Sequence, residues 1–250
     1  MAGHNKWSKV KHIKARVDAR KGKVFGRFAQ EISIAARDGS GDPNLNPRLR
    51  TAIDGAKSQS MPKENIERAI KKGTGELGGD AIQEVTYEGY GPGGIALIVE
   101  VSTDNTNRSA SKVREIFSKN GGSTATPGSV TYQFDRKGEI RIAAGGRTED
   151  DVMEATLEAG ADDIQSDPDE HVIYCEAANL SAVANALRET GIEPTSQQLL
   201  SVPQNPSVID DFKTAKQALR LYERLDDYED TMNVFTNFEV SDAVLAQLED

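Results

Sequence analysis

Apolar positions along the first third of the chain recur every three or four residues. Phe25, Phe28, Ile32 and Ala35 share one face, and Gly39-Ser40-Gly41-Asp42-Pro43 ends that helical pattern. Asn46 before Pro47 is a start signal, because Asn caps and Pro tolerates the first helical position. Leu49, Ala52, Ile53 and Ala56 form the next stripe. Pro62 opens a third helix with Ile66, Ala69 and Ile70 facing inward, and Gly73 closes it. The pattern predicts three short helices in a bundle, followed by a glycine-rich linker from 73 to 79.

The period then changes. Residues 83–89 and 94–102 read as strands, 107–119 as a helix and 129–135 as a strand. From 138 the order is strand (138–144), helix (149–160), two strands (161–167 and 171–177), helix (180–190) and strand (194–203). That β-α-β-β-α-β succession is the split βαβ of a ferredoxin-like fold. A helix at 211–226, with Phe212, Ala215, Leu219 and Tyr222 on one face, and a strand at 233–240 complete the pattern before a short polar tail. The segment before 136 lacks a last helix and strand, which 211–240 can supply. The expected class is α+β, with a basic arm and three-helix bundle followed by two α/β (ferredoxin-like) domains, the third inserted into the second. The expected boundaries are 1–79 for arm and bundle, 80–135 with 205–241 for the discontinuous domain, and 136–204 for the inserted one.

The longest aliphatic run, Ile95 to Val99, is far short of the roughly 20 residues that span a bilayer. The N-terminus has no apolar core of a secretory signal. The single Cys175 cannot form an internal disulfide, which fits a reducing compartment. The expectation is a cytoplasmic monomer that uses no membrane.

Charge changes the picture most. The chain carries a formal −10. Residues 1–75 hold 17 Lys and Arg against 7 Asp and Glu, and residues 76–250 hold 13 against 33. A basic head of about +10 is therefore joined to an acidic body of about −20, an arrangement that can set one face on phosphate. Residues 1–27 alone have nine cations and one anion, Asp18. Hydrophobic spacing in 1–23 is too sparse for a core, so this stretch reads as an extended or partly ordered arm. Trp7, the only tryptophan, sits among its cations, where an indole can stack on a base. More cations follow at Arg48, Arg50, Lys57, Lys63, Arg68, Lys71 and Lys72. Neutralising about eight phosphates would give a log–log salt slope near −7 on duplex DNA. A solvated tail is the competing reading of such a charge run.

Other motifs carry less. Gly89, Gly91 and Gly94 match G-x-G-x-x-G, but a β-branched run follows where a dinucleotide site needs a helix N-terminus, so a tight hairpin turn is expected. His4, His12 and His171 lack metal-ligand spacing, and Cys175 lies within an apolar strand, so no metal and no cofactor are expected. Asp162-Asp163 and Asp226-Asp227 read as solvated surface or caps. Asp104-Asn105-Thr106-Asn107-Arg108 is denser than a cap requires. It reads either as a cap alone or as a cap that also holds phosphate beside Arg108. An enzyme using a cleft between domains is an alternative of another class, which a catalytic requirement for Asp104, Asn105 or Arg108 would support.

The start MAGHNKWSKVKHIK, the stretch NPRLRTAIDGAKSQSMPKENIERAIKKG, the segment YEGYGPGGIALIVEVSTDNTNR and the block GSVTYQFDRKG resemble the YebC family. The resemblance runs from Met1 to about residue 240. That family includes bacterial proteins named as probable DNA-binding transcriptional regulators and a mitochondrial translational activator of cytochrome oxidase. Asp18 and the strongly acidic 144–170 region depart from its pattern. The opening motif at Met1 implies that no transit peptide precedes it. The resemblance implies a three-domain, non-enzymatic protein of gene expression. Its partner would be duplex DNA, with ribosomal RNA on the ribosome as the alternative. The positions to which it carries nucleic-acid binding are Lys6, Trp7, Lys9, Lys11, Lys14, Arg16, Arg20, Lys21, Lys23, Arg48, Arg50, Lys71, Lys72 and Arg108.

Overall fold

The structure is a computed structural model that describes residues 21–78 and 82–249. Packing divides the chain into two compact units, 1–134 with 203–250 and 135–202, so the second interrupts the first in sequence.

The first unit begins with α1 (Lys21–Asp38), α2 (Pro47–Ser58) and α3 (Lys63–Gly73). Residues 21–23, read from the sequence as part of the arm, are the first turn of α1. Ile32, Ala35 and Ala36 of α1 pack on Leu49, Ala52, Ile53 and Ala56 of α2 and on Ile66 and Ala69 of α3, as the helical spacing requires. Asn46 sets the α1–α2 corner. Its side chain accepts from the Leu49 amide at 3.1 Å and donates to Ala35 O at 2.7 Å and Ser40 O at 2.8 Å. One buried side chain thus caps α2 and closes the end of α1.

The same unit then forms a sheet. β1 (Gln83–Tyr90) and β2 (Ala96–Thr103) are an antiparallel hairpin. A 3-10 turn over Pro92–Gly94 joins them, and Gly93 at φ 76° takes the left-handed conformation that a side chain resists. The G-x-G-x-x-G match is therefore a hairpin turn. α4 (Thr106–Lys119) leads to β3 (Ser123–Ala125), and α7 (Phe212–Asp226) leads to β9 (Thr231–Thr236). The order is β3-β1-β2-β9. β2 is buried on both faces. Leu97, Val99 and Val101 meet the core under α4 and α7, whereas Ala96 and Ile98 meet Val130 and Phe134 on the other face. Two-residue alternation along a strand whose first four residues, Ala96–Val99, are all apolar, between two covers, produces this. Gly89 lies where Phe117 and the backbone of Ser123 approach; a Cβ there would sit 2.6 Å from Ser123 O.

The second unit contains β4 (Phe134–Ala143), α5 (Glu149–Thr156), β5 (Ala161–Ser166), β6 (Glu170–Glu176), α6 (Leu180–Glu189) and β7 (Ser196–Pro203), whose end strands run one residue past the unit's edges. Its order, β5-β6-β4-β7, places strand three beside strand one, as a split βαβ does. Ile140, Ile142, Ile173, Val183 and Leu187 fill its core, and Cys175 is buried among them. Thr148 and Asp151 form a capping box at α5.

Four sequence expectations are corrected. Residues 129–135 are not one strand: Thr131–Gln133 are a 3-10 turn and β4 starts at Phe134. The carboxylate of Glu88 draws this segment into a loop by accepting amides of Gly128 at 2.6 Å, Val130 at 2.7 Å and Thr131 at 3.1 Å. The strand expected at 233–240 is two strands, β9 and β10 (Phe238–Val240), and β10 pairs in parallel with β8 (Ser207–Ile209). Asn237 makes the break by accepting the Ala96 amide on its side-chain oxygen at 2.8 Å. The polar tail is helix α8 (Asp242–Glu249), whose Val244 and Leu245 enter the first core. Finally, the fully buried face of α7 is Ala215, Ala218, Leu221 and Leu225, with Phe212, Leu219 and Tyr222 at its margin.

Candidate nucleic-acid interface

Lys6, Trp7, Lys9, Lys11, Lys14, Arg16 and Arg20 lie outside the described residues. Lys21 and Lys23 fall in the first turn of α1. The remaining expected residues divide into two kinds by what they touch.

Arg48 and Arg50 sit in the first turn of α2, where the positive end of the helix dipole disfavours cations. Local partners hold both. Arg48 reaches Asp38 at 3.4 Å and Glu84 of β1 at 3.2 Å, linking the bundle to the sheet. Arg50 donates to Pro43 O at 3.1 Å and Asn44 O at 3.0 Å, closing the turn before α2.

Lys71 and Lys72 are exposed in the last turn of α3, where the dipole favours them. With Arg68 one turn earlier they form a cationic end to the helix, and none of the three pairs with a described carboxylate. Arg68 and Lys72 also flank a shallow groove of about 320 Å³ against Phe25, Ala29, Met61 and Ile82. Lys63 and Glu67 pair at 3.5 Å on the same outward face.

Arg108 does not join that surface directly. Asn105 caps α4 by accepting the Arg108 amide at 3.0 Å. The Arg108 guanidinium meets Asp104 at 2.9 Å and Asp230 at 3.0 Å, with its side chain 49% exposed. Asp230 is 10% exposed and also accepts from Thr103 Oγ1 at 2.8 Å and Tyr228 OH at 2.6 Å. Burial pushes the Asp230 carboxyl up, but the donors from Tyr228, Arg108 and Thr103 outweigh it and hold the group below the usual carboxylate range. The guanidinium is correspondingly harder to deprotonate than an ordinary Arg. This cluster ties the end of β2 to the α7–β9 turn, with Arg108 Nη2 shared between Asp104 and Asp230.

Two features were not legible in the pattern. Asp226, read as half of a solvated acidic pair, is buried and meets Arg27 of α1 at 2.6 Å. Gln30 of α1 donates to Ser102 O at 3.3 Å. These contacts dock the bundle on the sheet domain within one unit. Any signal would have been the presence of Arg27 on the flank of an amphipathic helix, which by itself names no partner. Among the described residues no three His, Cys, Asp or Glu gather as metal ligands, and no helix is long and apolar enough to cross a membrane.

Comparison with known proteins sets these elements in context. The model of the TACO1/YebC protein N-terminal domain matches residues 5–76, and that of the TACO1/YebC second and third domain matches residues 82–238. A protein of Akkermansia muciniphila named "Probable transcriptional regulatory protein" is 64% identical, with 99% of this chain and 100% of that one covered. One of the same name from Desulfosudis oleivorans is 49% identical, over 98% and 99% of the two chains. The crystal structure of a conserved hypothetical protein from Aquifex aeolicus is 43% identical, with a TM-score of 0.83 over 91% of this chain and 94% of that one. Matches that cover bundle and sheets alike, end to end, place this chain in the TACO1/YebC family.

Proposed function

We propose that the chain is a nucleic-acid-binding regulator of gene expression that works without catalysis. The carrying observation is charge. Residues 1–75 bear 17 cations against 7 acids, and Arg68, Lys71 and Lys72 project from the end of α3 with no described carboxylate to neutralise them. That count includes the cations from Lys6 to Lys23, and Trp7 among them is a residue type that stacks on bases. Arg48, Arg50 and Arg108 add weaker contacts through their exposed portions, since each already holds a partner. The relatives' name supports transcriptional regulation, and the first reading takes duplex DNA as the nucleic acid.

A second reading is binding to ribosomal RNA. The outward face of α3 carries Lys63, Glu64, Glu67, Arg68, Lys71 and Lys72, flexible charges suited to phosphate, with two carboxylates among them. Such a face positions a backbone and reads shape better than it reads base edges. Ultraviolet cross-linking in cells, with sequencing of the attached nucleic acid, separates the readings. Promoter DNA supports the first, a discrete ribosomal RNA site the second, and recovery of neither overturns both.

A further inference from the structure

Outside the bundle, the positive charge of the sheet domain is confined to one layer. Residues 82–134 and 203–250 contain eight Lys and Arg, and all eight lie on α4 or α7. Their sixteen acids are spread across strands, turns and helices. Random placement on an acidic domain would not gather every cation on two helices that cover the same face of one sheet.

The two helices frame an open groove of about 400 Å³. Lys112, Glu115 and Lys119 line it from α4, Arg220 and Arg224 from α7, and Ile116 forms its floor. Glu115 is gripped by Lys112 at 3.2 Å and Lys119 at 2.6 Å. No such acid faces the arginines: neither Arg220 nor Arg224 has an ion-pair partner among the described residues. Four cations against one acid leave the groove strongly positive. Lys216, held over the Phe212 ring at 5.8 Å, continues the row. Positions 216, 220 and 224 repeat one helical turn apart and span about 12 Å at 1.5 Å per residue. That length matches about three phosphates of one nucleic-acid strand.

We infer that the α4–α7 groove is a second phosphate-backbone contact, engaging the same nucleic acid as the bundle. The inference rests on the nucleic-acid reading above and names a part of the surface that the family resemblance does not. A backbone fits better than a small phosphorylated metabolite. The cations stand on long exposed side chains along an open groove, and no buried polar group is aimed into it to fix a single anion. Continuity supports one track. Arg224 lies two residues before Asp226, which Arg27 of the bundle grips, so the bundle docks at the same end of α7 as the last cation of the groove.

The test uses the full chain and two probes, purified ribosomal RNA and a mixed-sequence DNA duplex, titrated across a salt series. Gln replaces both arginines (R220Q with R224Q) at exposed helical positions, and a circular-dichroism melt confirms the fold. The double variant is expected to bind several-fold more weakly and to lose about two units of salt slope on duplex, about one per phosphate contact. R220K with R224K should restore the slope, because charge rather than fork geometry is at work, and E115Q should steepen it. Wild-type binding with an unchanged slope in the double Gln variant overturns the groove while leaving the function standing. Saturable binding of inorganic phosphate that the Gln pair abolishes, with nucleic-acid affinity unchanged, overturns it in favour of a small-anion site. A wild-type chain that binds neither probe overturns the function and the groove together.

Discussion

Replacing Asp230 with Ala removes the acceptor on which three side chains converge, and the structure sets the size of the loss. Thr103 and Tyr228, both buried, donate to its carboxylate at 2.8 and 2.6 Å. Hydrogen bonds to a charged group contribute about 1.5–3 kcal/mol each, so these two account for roughly 3–6 kcal/mol. The Arg108 contact adds little, because that side chain is half exposed and water screens it. D230A should therefore cost about 4 kcal/mol, a large share of the roughly 5–15 kcal/mol that stabilises a typical domain. R108Q should cost far less than D230A. Urea unfolding followed by circular dichroism gives the totals, and native-state hydrogen exchange gives the location. The amides of Val99 and Val101 in β2 should lose protection, while those of Ile140 and Ile173 in the second unit should not.

The sign of the pH dependence follows from the depressed carboxyl. Its folded value lies below the unfolded one, so its stabilisation is complete above the ordinary Asp range near about 4 and is lost as pH falls through the folded value. Wild type and D230N should therefore converge in stability on acidification and differ by a constant amount between about pH 5 and 7. A loss under about 1 kcal/mol in D230A, or an equal loss in R108Q, would refute the reasoning, the second by showing that the ion pair outweighs the buried hydrogen bonds.

Two other substitutions probe contacts that hold the first unit together. R27Q removes the 2.6 Å contact with Asp226, and it should cost about 1–3 kcal/mol and raise hydrogen exchange in α1 more than in α2. E88Q sets an amide donor against the backbone amides of Gly128, Val130 and Thr131; it should cost about 2–4 kcal/mol, with exchange at Val130 and Thr131 rising first.

The helices of the bundle were legible because each is a surface helix with one apolar stripe, and its caps are local chemistry. Asn46 and Pro47 mark the start of α2 without reference to anything distant. The ferredoxin-like unit was legible for the same reason, since its strands and helices alternate in sequence as they do in space. What was missed depends on long-range contacts. Glu88 bends residues 128–131 from forty positions away, and nothing in SVTYQFD announces it. Asn237 breaks an apparently continuous strand because its side chain serves the Ala96 backbone. In α8, Val244, Leu245 and Leu248 have helical spacing, but eight residues beside a polar terminus give too short a window for a period to stand out. At the candidate interface, sequence located the excess of cations but not their division. Arg48, Arg50 and Arg108 are indistinguishable from Arg68 or Lys71 until partners are seen, and only then do the first three become structural ties as well.

That division bears on how an acidic protein could hold nucleic acid. A net −10 would oppose a polyanion if it acted from one point, but screening limits each charge to about 10 Å at 0.1 M salt. Beyond that distance a phosphate senses only the patch it faces. Cations grouped on α3 and on the α4–α7 layer then attract locally, while acids distributed over the remaining surface repel phosphate wherever those groups are absent. The acidic excess therefore does not weaken the proposed contact at physiological salt. It narrows the orientations in which a phosphate backbone can lie against the protein, which a uniformly basic surface of the same affinity could not do.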